Sequence, residues 1–431
     1  MTNKTVSERD LNVLWHPCTQ MKDHEFLPMI PIKSAEGVWL EDFDGNKYID
    51  AISSWWVNIF GHVNPYISSK IKEQLDTLEH VILAGFTHEP VVRLSERLIK
   101  LTPKGLDRCF YADNGSSAVE VALKMSYHTH KNRGLEKPLF VSLTNSYHGE
   151  TLGALSVGDV ELYKDTYGPL LIECIQTTVP KDMSEDAAKS AAADLESLFE
   201  ERSHEISAVI VEPLVQGAGY MHMYHPLYLT LAKKLCEKYN VHLIADEVMV
   251  GFGRTGTLFA CEQADITPDF IVLSKGLTGG YLPLSVVLTS EDVYQAFYCD
   301  YKLYKAFLHS HSYTGNALAC AAANATLDIF ENENVIENNQ KTSEYMRKSL
   351  EKFKGLPNVL EVRQTGMIAA IELKGYGPEE RIGLKVYEYA LKKGVLLRPL
   401  GHIVYFMPPY VISDEEMDIT FDTAYEAIKA L

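Results

Sequence analysis

The chain lacks the marks of several protein classes. Its seven cysteines, at 18, 109, 174, 236, 261, 299 and 320 of 431 residues, are odd in number, scattered, and form no CxxC pair. That usage excludes a disulfide framework and a zinc site, and it predicts free thiols in a reducing compartment with no metal. No run of about 18 apolar residues occurs, as a membrane-spanning helix would need. The opening MTNKTVSERDLN has no apolar segment of a secretory signal. The expectation is therefore a soluble, cytoplasmic protein without a membrane partner. Basic clusters are missing too: 40 Lys and Arg stand against 58 Asp and Glu, a net charge of −18. Nucleic acid and anionic membrane are poor partners for such a chain. There is no internal repeat and no low-complexity linker.

What is present fits an α/β protein of about two domains, since the length exceeds the roughly 250–300 residues at which one core stops growing. Short apolar runs alternate with longer amphipathic stretches, as a mostly parallel sheet requires. The runs predict strands at 108–113, 138–144, 208–213, 242–247, 270–275 and 284–289, and helices at 115–131, 186–203, 226–239 and 315–331. After residue 332 the pattern changes to a long helix through Lys354 and short runs split by a helix near 380–393. Expected boundaries are an N-terminal segment 1–60, with a hairpin at Asp44-Gly45, a large domain 61–331, and a smaller α+β domain 332–431 beside which the N-terminal segment packs.

Two segments carry most of the chemistry. LIADEVMVGFGRTG (243–256) and DFIVLSKGLTGG (269–280) put Asp246 and Lys275 each at the end of a β-branched run, 29 positions apart. Two parallel strands joined by a crossover bring both side chains to one carboxyl edge, where open α/β sheets bind ligands. A lysine and a carboxylate so placed suit pyridoxal phosphate: the lysine holds the aldehyde as a Schiff base, and the carboxylate keeps the pyridine nitrogen protonated. Taken singly, the same residues read more readily as a surface lysine and a helix-capping aspartate.

Other positions extend the pattern. In YADNGSSAVEVALKM, Gly115, Ser116 and Ser117 open a helix after a strand, a natural anion site, though also an ordinary capped helix. SHSYTGN (310–316) offers the Ser312 hydroxyl to the same phosphate, or is a polar loop. Tyr147, before His148 and Gly149 at a strand end, suits the face of a planar cofactor or packs under a loop. Glu212 is another acidic strand end. Trp55-Trp56 either join the core or wall a pocket. Arg398, in VLLRPL, needs an anion if buried, from a structural carboxylate or from a substrate.

Together these residues resemble the class III aminotransferases, pyridoxal phosphate enzymes of fold type I. The run Leu243–Gly280 matches that family's signature, and the likeness covers nearly the whole chain. WHPCTQM, SSWW, NSYHGETLGALSVG, VEPLVQGAG and RPLGHIVYFMPPY are closest to members that aminate 7-keto-8-aminopelargonate on the route to biotin. The resemblance implies a large domain with a mostly parallel sheet plus a smaller α+β domain, and it implies roles. Lys275 would bind the coenzyme, contact substrate and move the proton; Asp246 would hold the pyridinium; Tyr147 would stack on the ring and meet substrate. Gly115 and Ser116 fall where the family binds phosphate. His311 and Ser312 align with a coenzyme contact supplied by the neighbouring subunit, which implies a homodimer with shared sites. Trp55, Ser310, Arg398 and Tyr405 match substrate positions, Arg398 taking the distant carboxylate of the keto acid. Many members have Arg at position 405; Tyr405 argues against their grip on an α-carboxylate.

The amino donor stays open. Members using S-adenosylmethionine have Tyr in place of Cys18 and GPT in place of Ser310-His311-Ser312, and HSYTGN is more like members using lysine. Tyr405, Trp55-Trp56 and MYHP look like the S-adenosylmethionine type, which is preferred here. Two rivals stand beside this reading: a class III enzyme for ω-amino acids or diamines, and a coenzyme-binding regulator without turnover.

Overall fold

The computed structural model describes residues 1–27 and 29–431. Contacts gather into two compact units, one made of Met1–Pro65 with Lys341–Leu431 and the other of Tyr66–Gln340. No described helix is long and apolar enough to cross a membrane.

The larger unit is built on a seven-stranded sheet in the order Arg108–Ala112, Ser285–Thr289, Phe270–Leu273, His242–Asp246, Ile206–Val211, Leu139–Leu143, Cys174–Thr177. Ser285–Thr289 pairs antiparallel with both neighbours; the other described pairings are parallel. Its central strands read as unbroken apolar runs because both faces are covered, and Ile206–Val211, His242–Asp246 and Phe270–Leu273 are buried throughout. Helix Gly115–Asn132 lays Ala118, Val121, Ala122 and Met125 into a core with Ile210, Ile244, Val272 and Val287. All six expected strands form. Cys174–Thr177, short and only partly buried, carried too little apolar signal to be foreseen.

The smaller unit has a four-stranded sheet, Ile32–Glu36, Trp39–Asp42, Lys47–Asp50 and Val395–Leu396, and a three-stranded antiparallel sheet, Val359–Thr365, Ile368–Leu373 and Ile403–Phe406. The opening segment thus shares a sheet with the tail through the parallel pair Asp50 and Leu396. The hairpin turns at Gly45, whose φ of 88° favours glycine. Asp42 fixes the turn by accepting from the backbone N–H of Asp44 and Asn46. Helices Gly383–Lys392 and Asp414–Lys429 cover these sheets around Ile49, Ile371, Val395, Phe406 and Phe421.

Candidate active site

In the larger unit, the strands His242–Asp246 and Phe270–Leu273 run parallel with Asp246 opposite Val272. Asp246 is the last residue of its strand and Lys275 stands two residues beyond the end of the next, so the shared edge foreseen from the sequence is realised. Lys275 has a φ of 46°, a left-handed conformation that side-chain-bearing residues seldom adopt. Burial pushes its amine down to about 8, against the opposing pull of the Asp246 and Glu212 carboxylates. Near neutrality such an amine is a far better nucleophile than an exposed lysine.

Asp246 is buried, and its Oδ2 lies 2.8 Å from His148 Nδ1, while Oδ1 accepts from the backbone N–H of Val248. His148, also buried, sits on the loop after Leu139–Leu143. The sequence placed it beside Tyr147 but gave no sign of this pairing, because 98 residues separate the partners.

The same loop positions Tyr147. Its backbone N–H donates to Glu212 Oε2 at 2.9 Å, and its hydroxyl donates to Glu150 Oε1 at 3.0 Å. Glu212 follows strand Ile206–Val211 and also accepts from Gly217 N–H. Burial pushes its carboxyl up to about 7, with the His148 imidazole and these two N–H groups acting in the opposite direction. Gly149 is required: its φ is 127°, and a Cβ there would stand 2.1 Å from Ser116 Oγ. That approach lets Ser116 Oγ accept from Glu150 N–H.

Helix Gly115–Asn132 begins beside this loop in space. Asn114 caps it by accepting from Ser117 N–H. The N–H groups of Gly115 and Ser116, in the first turn, have no acceptor within the helix, and no described side chain takes them. They suit a dianionic phosphate at the positive end of an 18-residue helix. The amine of Lys275, the carboxylate of Asp246 and this helix end form a donor set that fits pyridoxal phosphate.

Ser310, His311 and Ser312 belong to the segment before helix Ala317–Asn332. Ser310 and Ser312 are exposed, and the Ser312 carbonyl accepts from His80 Nε2 at 2.7 Å.

Trp55, Arg398 and Tyr405 belong to the smaller unit and are brought together there. The Arg398 guanidinium lies 4.4 Å from the Trp55 ring centroid, and its Nη2 donates to the Cys18 carbonyl. No described carboxylate pairs with it, so of the two partners that its sequence setting allows, the structural one is missing. Tyr405 is buried and its hydroxyl accepts from Trp56 Nε1 at 3.1 Å. The Trp pair sits on a left-handed turn: Ser53, Ser54, Trp55 and Trp56 have φ of 50°, 46°, 70° and 74°. None is glycine, and left-handed backbone costs such residues about 1–2 kcal/mol each.

The fold and this site define a coenzyme-binding transferase of the lysine–aspartate type. The chain belongs to the class III aminotransferases, matching that family over residues 20–428, and it is a pyridoxal-phosphate-dependent transaminase. It is 56% identical to the adenosylmethionine-8-amino-7-oxononanoate aminotransferase of Helicobacter pylori, over 96% of this chain and 95% of that one. The solved structure of the Methanocaldococcus jannaschii enzyme of the same name superposes with a TM-score of 0.95 at 39% identity, covering 99% of each chain. The Pseudomonas jessenii omega transaminase is similar in fold as well, with a TM-score of 0.92 at 28% identity over 98% of this chain and 97% of that one.

The Lys275 environment has a kinetic consequence. The second-order rate of pyridoxal phosphate uptake by the coenzyme-free protein should rise with pH around a midpoint near 8, because the reacting form is the neutral amine and burial disfavours the charged one. Stopped-flow absorbance between pH 6.5 and 10.5 checks this. A midpoint near 10.5 would show an ordinary exposed lysine.

Proposed function

We propose that this protein transfers an amino group to 8-amino-7-oxononanoate, also called 7-keto-8-aminopelargonate, giving 7,8-diaminopelargonate for biotin synthesis. The observation that carries the substrate assignment is Arg398, a half-buried guanidinium stacked on Trp55 with no carboxylate partner of its own. It meets the terminal carboxylate of the keto acid through the planar fork for which arginine is suited. The 56% identity to a relative whose name states that substrate supports the same reading.

Bound pyridoxal phosphate supplies the electron sink for the carbon that loses or gains the amine. The protein's own residues do the rest. Gly115 and Ser116 N–H groups hold the phosphate, and Tyr147 faces the ring. Asp246, oriented by His148, keeps the ring nitrogen protonated. The Lys275 amine would hold the coenzyme and, when free, would carry the proton at the substrate carbon. Tyr405, bonded to Trp56, contributes an apolar wall in place of a second arginine, so an α-carboxylate gains no ion pair at that position.

The preferred donor is S-adenosylmethionine, in line with the names of the relatives. We infer too that the protein works as a cytoplasmic homodimer in which His311 and Ser312 reach the neighbouring copy's phosphate. The seven free thiols suit that compartment, and exposed Tyr298, Tyr301, Tyr304, Leu308 and Tyr313 around this segment suit a covered surface.

Loss of the coenzyme's visible absorbance on mixing the holoenzyme with S-adenosylmethionine, lysine, putrescine, ornithine or β-alanine, followed by recovery with 8-amino-7-oxononanoate, tests the reading. S-Adenosylmethionine should react at least about tenfold faster than the diamines and β-alanine, and the oxononanoate should restore the spectrum. Fast bleaching by β-alanine or putrescine without recovery by the oxononanoate would favour an omega transaminase, as the Pseudomonas jessenii likeness allows.

A further inference from the structure

The left-handed turn Ser53–Trp56 is held chiefly by the Asp50 carboxylate. Asp50, fully buried at the end of strand Lys47–Asp50, accepts four hydrogen bonds. Its Oδ1 takes the backbone N–H of Ile52 at 3.3 Å and of Ser54 at 2.9 Å; its Oδ2 takes Ser54 Oγ at 2.7 Å and His62 Nε2 at 2.9 Å. His62 is fixed in turn by Asn58 Nδ2 on its Nδ1. Ser53 Oγ donates to the Met407 carbonyl at 2.7 Å, tying the turn to the chain two residues past Tyr405.

A turn needed only for chain reversal would place glycine where φ is positive. Here two serines and two tryptophans occupy those positions, and the outcome is a fixed direction for two indoles. Trp56 is buried with its Nε1 on Tyr405, while Trp55 remains 39% exposed with its ring against the Arg398 guanidinium. A stacked guanidinium can offer its N–H edges in one plane only.

We propose that Asp50 and His62 are positioning residues for the carboxylate end of the substrate, acting by holding the left-handed turn that stacks Trp55 on Arg398. This rests on the reading of Arg398 as the carboxylate-binding residue. The pair touches neither substrate nor coenzyme; it sets the plane in which Arg398 presents its donors. Asparagine at 50 keeps the shape but has one acceptor oxygen, so it cannot accept both the Ile52 and Ser54 N–H groups and the His62 N–H in these positions, and the hold on the strained turn weakens.

The test uses the holoenzyme and steady-state kinetics with 8-amino-7-oxononanoate, together with the rate of the donor half-reaction. Asp50→Asn should raise the KM for the keto acid about tenfold and leave the donor half-reaction within about twofold. Adding Ser54→Gly, which accepts a φ of 46° without penalty, should bring KM back to within about threefold of the parent. Should Asp50→Asn fail to fold, His62→Gln carries the same test with a rise of about threefold. A lowered melting temperature with unchanged KM, or equal losses in both half-reactions, would overturn the proposal. Arg398→Ala separates the two readings. If it leaves KM unchanged, Arg398 is not the carboxylate site and both readings fall; if it raises KM while the Asp50 and His62 variants do not, only the positioning role is lost.

Discussion

Replacing Lys275 with alanine is expected to abolish transamination, by at least about 10⁴-fold, and to remove the visible absorbance of the bound coenzyme. Two roles would vanish with one side chain: the hold on the coenzyme, and the amine that would carry the proton at the substrate carbon. The environment magnifies the loss. The amine is pushed down to about 8 by burial. Exogenous small amines should restore a part of the turnover, since they replace the proton carrier without replacing the tether. An alanine variant that keeps both its yellow colour and its turnover would place the chemistry elsewhere.

The second large effect falls on Asp246. Asp246→Asn should lower kcat by about 10³-fold, a loss of about 4 kcal/mol of stabilisation, while leaving the coenzyme attached and visible. The asparagine is nearly isosteric but neutral, so the ring nitrogen loses the charge that favours its protonated form, and His148 Nδ1 loses its carboxylate hydrogen-bond partner at 2.8 Å. The two variants thus separate attachment from electron withdrawal: one loses colour and rate, the other rate alone. Coenzyme absorbance and single-turnover rates measured on the same samples decide it. An Asp246→Asn enzyme within about tenfold of the parent would mean that the carboxylate is structural.

How legible the site was depended on how local its signals were. Asp246 and Lys275 were readable because each closes an unbroken apolar run, and buried parallel strands leave that signature. The helix start at Gly115 was readable from a strand followed by small polar residues. The Asp246–His148 pair was not, since hydrogen bonds between distant segments leave no spacing. Glu212 stood out as an acidic strand end, yet its task, holding the Tyr147 and Gly217 backbones, depends on a loop path that no periodicity encodes. The Ser53–Trp56 turn was least legible of all. A left-handed turn is normally announced by glycine or asparagine, and SSWW contains neither, because its stabilisation comes from the buried Asp50 carboxylate. For Arg398 the sequence posed a choice between a structural and a substrate carboxylate; the structure gives it the Trp55 ring and the Cys18 carbonyl as partners, which neither periodicity nor spacing announced.

The account stands on Lys275 as the point of coenzyme attachment. Reduction of the holoenzyme with borohydride, proteolysis and peptide mass spectrometry read that point directly. The phosphopyridoxyl group should appear on the peptide containing Ser274-Lys275-Gly276, at one equivalent per chain. Its appearance on any other lysine, or a reduced protein without the added mass, would contradict the account.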